Sequence, residues 1–144
     1  MSEVWPEGWS PGWDSVGETS NTAYYVDHRG VLLALPHRGA HDTKTTAVEN
    51  LAFQKAHFRS RNDPPVVAIF FDRLASQDRM ARKAYADDPS SQWSLGFALI
   101  GGTMLTRAMG SFFLGLTRPD APLKMFKNIT SARPWIDSLQ QRKP

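Results

Sequence analysis

Cysteine is absent from this chain of 144 residues. The absence excludes disulfide bridges, thiolate catalysis and every zinc or iron–sulfur site that needs cysteine ligands. No secretory leader is expected either, because the N-terminus has neither a basic segment nor an apolar one. These features are typical of proteins in a reducing compartment, and we expect a cytoplasmic location.

Long hydrophobic runs are also scarce. The longest covers residues 95–116 and carries a single charge, Arg107. It has the length of a membrane span, but Gly101 and Gly102 interrupt it, and each costs a helix about 1 kcal/mol relative to alanine. We interpret the run as a strand over 95–100, a glycine turn, and an amphipathic helix over 104–116 with Thr103 as its N-cap. No membrane span is therefore expected.

Charge is modest and unevenly placed. Hydrophobic residues make up 41 % of the chain and charged residues 22 %, as in an average globular domain. Residues 1–21 contain four acidic residues and no lysine or arginine, although the whole chain has a net charge of +3. The basic residues of the remainder are scattered, with no run longer than two. This distribution indicates a solvated basic surface, and nucleic acid is not expected as a partner.

Residues 1–21 form a distinct N-terminal tail in the sequence. Trp5, Trp9 and Trp13 recur every four residues, and the prolines and glycines between them favour a series of turns over a helix. Three tryptophans are unusual for a disordered segment. We therefore expect the tail to dock on its own domain, on a second subunit or on another protein. Residues 22–144 are assigned to a single domain.

The remaining pattern alternates strands with helices. Strands are predicted over 22–26, 31–35, 66–71, 95–100 and 123–126, and helices over 43–58, 76–85, 104–116 and 128–141. The apolar face of the first helix is assigned to Val48, Leu51, Ala52 and Phe58. The order ββαβαβαβα predicts an α/β domain with a mixed, largely parallel sheet of about five strands and about four helices.

This order resembles that of STAS domains, and the local sequence is similar to a bacterial family of SpoIIAA-like, or STAS/SEC14-domain, proteins. The resemblance rests on the strand VVAIFFD, the pair Ala81-Arg82, the block Gly110–Pro119 (GSFFLGLTRP), and Ala132 with Trp135-Ile136. It covers about residues 22–141. It implies a STAS-like fold in a small cytoplasmic domain with no established activity. Our first hypothesis is a non-enzymatic regulatory or protein-interaction module that self-associates, as a homodimer. The SEC14 part of the family description implies, as an alternative, a carrier of a lipid or small apolar ligand.

The resemblance also implies a modification site. True anti-sigma-factor antagonists are phosphorylated on a serine at the N-terminus of the helix that follows the central strand, where the helix dipole favours the added charge. Their Asp-Ser pair matches Asp78-Arg79 here, which places arginine at the serine position. Ser76, two residues before Asp78, is the candidate for modification. The alternative is that Ser76 is simply the N-cap of the helix.

One possible anion site is indicated by the residues themselves. Asp72 follows the central strand at its carboxyl end, where α/β sheets usually bind ligands. Gly101, Gly102 and Thr103 follow another strand and open a helix, so their amides are candidate anion donors. An enzyme acting on a small anion there is the third hypothesis. The alternatives are a salt bridge at Asp72 and an ordinary turn with a cap at the glycines.

Other chemistry is not indicated. His37 and His41 share a loop with Asp42, but without a helix their spacing does not form a metal pair, so no metal or other cofactor is predicted. No nucleophile, base and carboxylate are spaced for catalysis, and no catalytic residue is predicted. Phe112 and Phe113 exceed what one core face needs, so they join the three tail tryptophans as candidate interface residues.

Overall fold

The computed structural model describes residues 5–89, 93–103, 107 and 122–141. The described residues form eight strands and three helices. The strands are β1 (Asp14–Glu18), β2 (Thr22–Val26), β3 (Leu32–Pro36), β4 (Ala40–Asp42), β5 (Val66–Phe70), β6 (Leu74–Gln77), β7 (Gly96–Ile100) and β8 (Leu123–Phe126). The helices are α1 (Lys44–Arg59), α2 (Arg79–Asp87) and α3 (Ile129–Gln141).

The main sheet has six strands in the order β1-β2-β3-β5-β7-β8. The first three strands are antiparallel, and β3, β5, β7 and β8 are parallel. The predicted hairpin is present as β2 and β3, and Gly30 in its turn has φ +83°. The predicted α/β class with a mixed, largely parallel sheet is therefore confirmed.

The central strands are buried on both faces because hydrophobic residues occupy nearly every position along them. Both β3 and β5 are buried at nearly every position, which confirms that the run from Val66 forms a central strand. One face packs against α3 through Ile129, Ala132, Ile136 and Leu139. Complete burial of one such aliphatic side chain stabilises the fold by about 1.5–3 kcal/mol. The opposite face packs against Phe58 of α1 and, farther along the sheet, against Leu74 and Tyr85.

A second, smaller sheet lies beyond the carboxyl ends of β3 and β5. Its two strands, β4 and β6, are parallel and place Asp42 beside Gln77. The prediction of a helix from residue 76 with Ser76 as N-cap is wrong, because Ser76 lies within β6 and α2 begins at Arg79. The N-cap is Asp78, whose side chain accepts a hydrogen bond from the amide of Ala81 at 2.8 Å. Backbone pairing with β4 outweighs the local capping preference of the serine.

The N-terminal tail contains a strand that the sequence did not predict. Asp14–Glu18 pairs with β2 along its length, so the prediction of turns throughout residues 1–21 is wrong for this segment. The segment is an edge strand with mostly exposed side chains, and it therefore lacks the apolar alternation by which strands are recognised. Gly17 lies at an irregularity in the pairing with φ +141°.

The buried face of α1 also differs from the prediction. The buried residues are Ala47, Asn50, Gln54 and Phe58, whereas Val48 is 53 % exposed and Ala52 is exposed. The helix is rotated toward its polar side because Asn50 and Gln54 bond to buried polar groups of the sheet and of α2. Of the four residues assigned to the apolar face, only Phe58 is buried. The helix itself is present close to its predicted bounds.

The predicted helix over 104–116 falls mostly outside the described residues. Within it the structure describes Arg107, which is exposed and helical, and whose amide donates to the Thr103 carbonyl at 3.0 Å. The candidate interface residues Phe112 and Phe113 lie outside the described residues. None of the helices that are described is long and apolar enough to cross a membrane.

Candidate functional site

Asp72, Gly102 and Thr103 meet at the carboxyl edge of the main sheet. The Gly102 amide donates to both carboxylate oxygens of Asp72 at 3.1 Å, and the Thr103 amide donates to one of them at 3.3 Å. Gly101 continues the β7 strand and donates its amide to the Phe126 carbonyl at 2.9 Å. The anion that these amides hold is thus the protein's own side chain, and an external anion would have to displace it.

Substitution of Asp72 by alanine is expected to lower the free energy of unfolding by about 1 kcal/mol, the usual effect of losing a side chain that caps helix amides. Urea unfolding followed by circular dichroism measures the change. Asp72→Asn is the matched control, because it keeps one acceptor oxygen and should lose less. Equal stability of the alanine variant and the parent would show that the contact between the two strand ends does not stabilise the fold.

The small sheet brings together two side chains from separate parts of the chain. His41 of β4 and Ser76 of β6 are paired in register, and both are exposed. A hydrogen bond of 2.6 Å joins His41 Nδ1 to Ser76 Oγ. His37 does not join them, because its Nε2 lies 3.4 Å from a carboxylate oxygen of Glu18. Groups of acidic and histidine side chains that would hold a metal are absent from the described part of the chain.

Both neighbouring helices begin at the ends of this small sheet. Asp42 and Gln77 are register partners, and α1 and α2 start two residues after them, so the two helix N-termini lie side by side. Two large apolar side chains are exposed near these N-termini, Val48 at 53 % and Met80 at 48 %. We call His41, Ser76, Val48 and Met80 the Ser76 face.

A buried carboxylate supports this face from below. Asp42 is 4 % exposed. One of its oxygens accepts from Thr46 Oγ1 at 2.6 Å, from Tyr85 OH at 3.2 Å and from Asn21 Nδ2 at 3.4 Å. The other accepts from Gln77 Nε2 at 2.9 Å. These four donors come from the loop before β2, from β6, from α1 and from α2, so the carboxylate ties both helices to the small sheet.

The network continues through two tyrosines. Tyr24 OH donates to Asn50 Oδ1 at 3.0 Å and accepts from Gln54 Nε2 at 3.2 Å. Asn50 Nδ2 in turn donates to Tyr85 OH at 3.1 Å and to Asn21 Oδ1 at 2.9 Å. Burial raises the pKa of both tyrosines well above the usual range, and the charge of Asp42 raises it further for both, so the phenols stay protonated at neutral pH.

This network was not predicted from the sequence. A signal was present, since Ala47, Asn50, Gln54 and Phe58 share one helical face and include two amides. An assignment that follows hydrophobicity alone gives preference to Val48 and Leu51 instead.

The tail tryptophans lie on the other side of the sheet. Trp13 is buried in the core, and Trp5 and Trp9 pack against the same cluster. Trp9 contacts the ring of Tyr25 at 5.0 Å and that of Phe70 at 5.4 Å between centroids. Of the three docking partners considered for the tail, the structure shows its own domain for these residues. The tail and α1 pack on opposite faces of the main sheet.

Comparison with known proteins gives a family and a fold. The family described as "Domain of unknown function (DUF7793)" matches residues 28–140. The chain is similar in structure to a protein of the DUF3478 family with a SpoIIAA-like fold from Shewanella loihica PV-4, with a TM-score of 0.54 and 14 % identity. The similarity covers 94 % of this chain and 98 % of that one. No curated protein matches the chain. At this identity the likeness establishes the fold alone.

Proposed function

Because the chain belongs to the Domain of unknown function (DUF7793) family and has a SpoIIAA-like fold, we propose that it is a regulatory protein-interaction module rather than an enzyme. Its contact surface is the Ser76 face, and its first partner is a second copy of the chain. Modification of the Ser76 hydroxyl controls the contact.

The observation that carries this proposal is the exposed bond between Ser76 Oγ and His41 Nδ1, 2.6 Å long. Ser76 lies on a strand that is held in place by β4, so its hydroxyl is presented in a fixed position. It also lies two residues before the N-cap of α2 and near the N-terminus of α1. A phosphate added there is stabilised by both helix N-termini, and it is a charge-assisted partner for His41.

The neighbouring apolar side chains favour a protein as the partner. Val48 and Met80 are exposed in the first turns of the two helices that follow the small sheet, and methionine adapts to contact surfaces of different shape. A homodimer with twofold symmetry buries each of these side chains twice. A charge introduced at Ser76 also enters such an interface twice, where its desolvation and repulsion both oppose association.

Self-association tests the proposal directly. Sedimentation velocity over a range of concentrations should show a monomer–dimer equilibrium for the parent chain. Ser76→Glu and Met80→Glu are each expected to raise the dimer dissociation constant by about tenfold or more, which corresponds to about 1.4 kcal/mol.

Ser60→Glu is the matched control. Ser60 is exposed at the C-terminal end of α1, away from the helix N-termini of the Ser76 face. The dimer dissociation constant of Ser60→Glu should therefore equal that of the parent. A parent chain that stays monomeric at every concentration contradicts the proposal. So does a dimer that tolerates both glutamates on the Ser76 face.

A further inference from the structure

We propose that a cavity at the amino ends of β3, β5 and β7 binds a small molecule that carries one phosphate group, through the guanidinium groups of Arg61 and Arg29. The cavity is at the opposite edge of the sheet from the Ser76 face, and the inference is independent of the proposed function. Its volume is about 230 Å³. Its lining includes Arg29, Gly30, Arg61, Pro65, Leu95 and Gln140.

The hydrogen bonding of the Arg61 guanidinium is the central observation. Its Nε is buried and has no hydrogen-bond partner, and no carboxylate forms an ion pair with its guanidinium in the ranges that the structure describes. A buried donor without an acceptor is destabilising, because no hydrogen bond replaces the one that it made to water. Arg61 lines the cavity, and the two terminal nitrogens of a guanidinium match two phosphate oxygens at once.

The Arg61 guanidinium lies against the hairpin turn. A Cβ at residue 30 would lie 2.7 Å from Arg61 Nη2, so a larger residue at this position would shift the guanidinium. Gly30 also has φ +83°, which other residues rarely adopt. The turn between β2 and β3 and the segment before β5 thus hold the guanidinium at the cavity.

Other cations nearby are neutralised by carboxylates, and Arg61 is different from them. Arg133 pairs with Asp27, and Lys55 pairs with Asp88. Burial lowers the pKa of His57, one turn before Arg61, and the positive charge of Arg61 lowers it further. His57 is therefore neutral at pH 7 and adds no charge to that of Arg61.

Arg29 supplies the second guanidinium. It is paired with Asp137 of α3, but Arg29 is exposed and Asp137 is partly exposed, and such surface pairs contribute little to stability. Replacement of Asp137 by a phosphate as the partner of Arg29 at the cavity mouth therefore costs little free energy. The Arg29 carbonyl accepts from Gln140 Nε2 at 3.1 Å, which keeps the end of α3 against the turn.

The rest of the lining selects the ligand. Pro64, Pro65 and Leu95 are the apolar residues in a lining that is otherwise polar. Asp63 also lines the cavity, and its negative charge disfavours additional phosphates. The expected ligand is therefore a small phosphate monoester, rather than a nucleoside triphosphate.

Isothermal titration calorimetry with phenyl phosphate and with inorganic phosphate, at constant ionic strength, tests the proposal. Phenyl phosphate should bind with a dissociation constant of about 1 mM or below, and inorganic phosphate more weakly because it lacks the apolar group. Arg61→Gln should weaken the binding of phenyl phosphate by about tenfold or more. Arg61→Lys keeps the charge but loses the planar fork, and an intermediate affinity is expected.

Arg38→Gln is the matched control. It removes the same charge as Arg61→Gln, but from an exposed residue beyond the carboxyl end of β3. Its affinity should stay within about twofold of the parent. Equal weakening by Arg38→Gln and Arg61→Gln overturns the proposal, since it means that net charge alone attracts the ligand. Absence of saturable binding by the folded parent up to about 10 mM phenyl phosphate overturns it too.

Discussion

Replacement of Asp42 by alanine is expected to lower the free energy of unfolding by about 3 kcal/mol, because it removes a buried acceptor that serves four donors. The amide of Gln77 and the hydroxyl of Tyr85 each lose a hydrogen bond at 2.9 Å and 3.2 Å. Neither group reaches bulk water easily, since Gln77 is buried beneath the Ser76 face. The small sheet and the two helix N-termini should loosen together.

Urea unfolding monitored by circular dichroism measures this loss. Asp87→Ala is the matched control, because the Asp87 carboxylate is exposed and pairs with Lys83 one turn away on the same helix. That pair should contribute at most about 0.5 kcal/mol. A second variant, Tyr85→Phe, removes one donor and keeps the ring, so it should lose less than Asp42→Ala. A loss in Asp42→Ala no greater than in Asp87→Ala would mean that the network does not hold the small sheet.

The central strands and the class of the fold were predictable from the sequence. Val66–Phe70 and Leu123–Phe126 are short apolar segments between polar loops, and their pattern has few competing interpretations. Their alternation with helices then requires parallel pairing, because each helix returns the chain to the same edge of the sheet. The predicted hairpin followed from the glycine at position 30.

Elements whose stability comes from distant contacts were not predictable. Residues 74–77 contain a serine and precede a helix, so local rules place a cap at Ser76. The strand β6 exists because β4, more than thirty residues earlier, offers its backbone for pairing. In the same way α1 buries Asn50 and Gln54 because Tyr24 and Tyr85 are present to bond with them. Single-sequence patterns do not contain these long-range partners.

The candidate sites divide in a similar way. The proximity of Asp72 and Gly102 follows from the rule that carboxyl ends of parallel strands share one edge of the sheet. Which anion the amides hold does not follow from it, since a side chain thirty residues away competes with any external ligand. The bond between His41 and Ser76 depends on the register of the small sheet, and no local pattern indicates that register.

Replacement of Trp13 by alanine is expected to have the largest effect on stability, a loss of about 3–5 kcal/mol. Trp13 directly precedes β1 and is only 8 % exposed, although it belongs to a segment rich in glycine and proline. Its ring contacts Trp9 at 4.8 Å, and the guanidinium of Arg133 lies 5.4 Å from it. Removing the indole leaves a cavity in the core cluster and releases the rings that pack on it.

Trp93→Ala is the matched control, because it also removes an indole ring but from a more exposed position. It shows how much of the loss at Trp13 comes from burial. Trp93 is 38 % exposed and has a comparable cation contact, with the Arg59 guanidinium 5.4 Å from its ring. Its loss should therefore be about 1 kcal/mol. Equal losses at the two positions would contradict the contribution of the tail to the core.

A chain that starts at Thr22 extends the test to the proposed domain boundary, because it lacks both Trp13 and β1. We expect it to expose Tyr25 and Phe70 and to bind a hydrophobic dye, since these two rings pack against Trp9 in the complete chain.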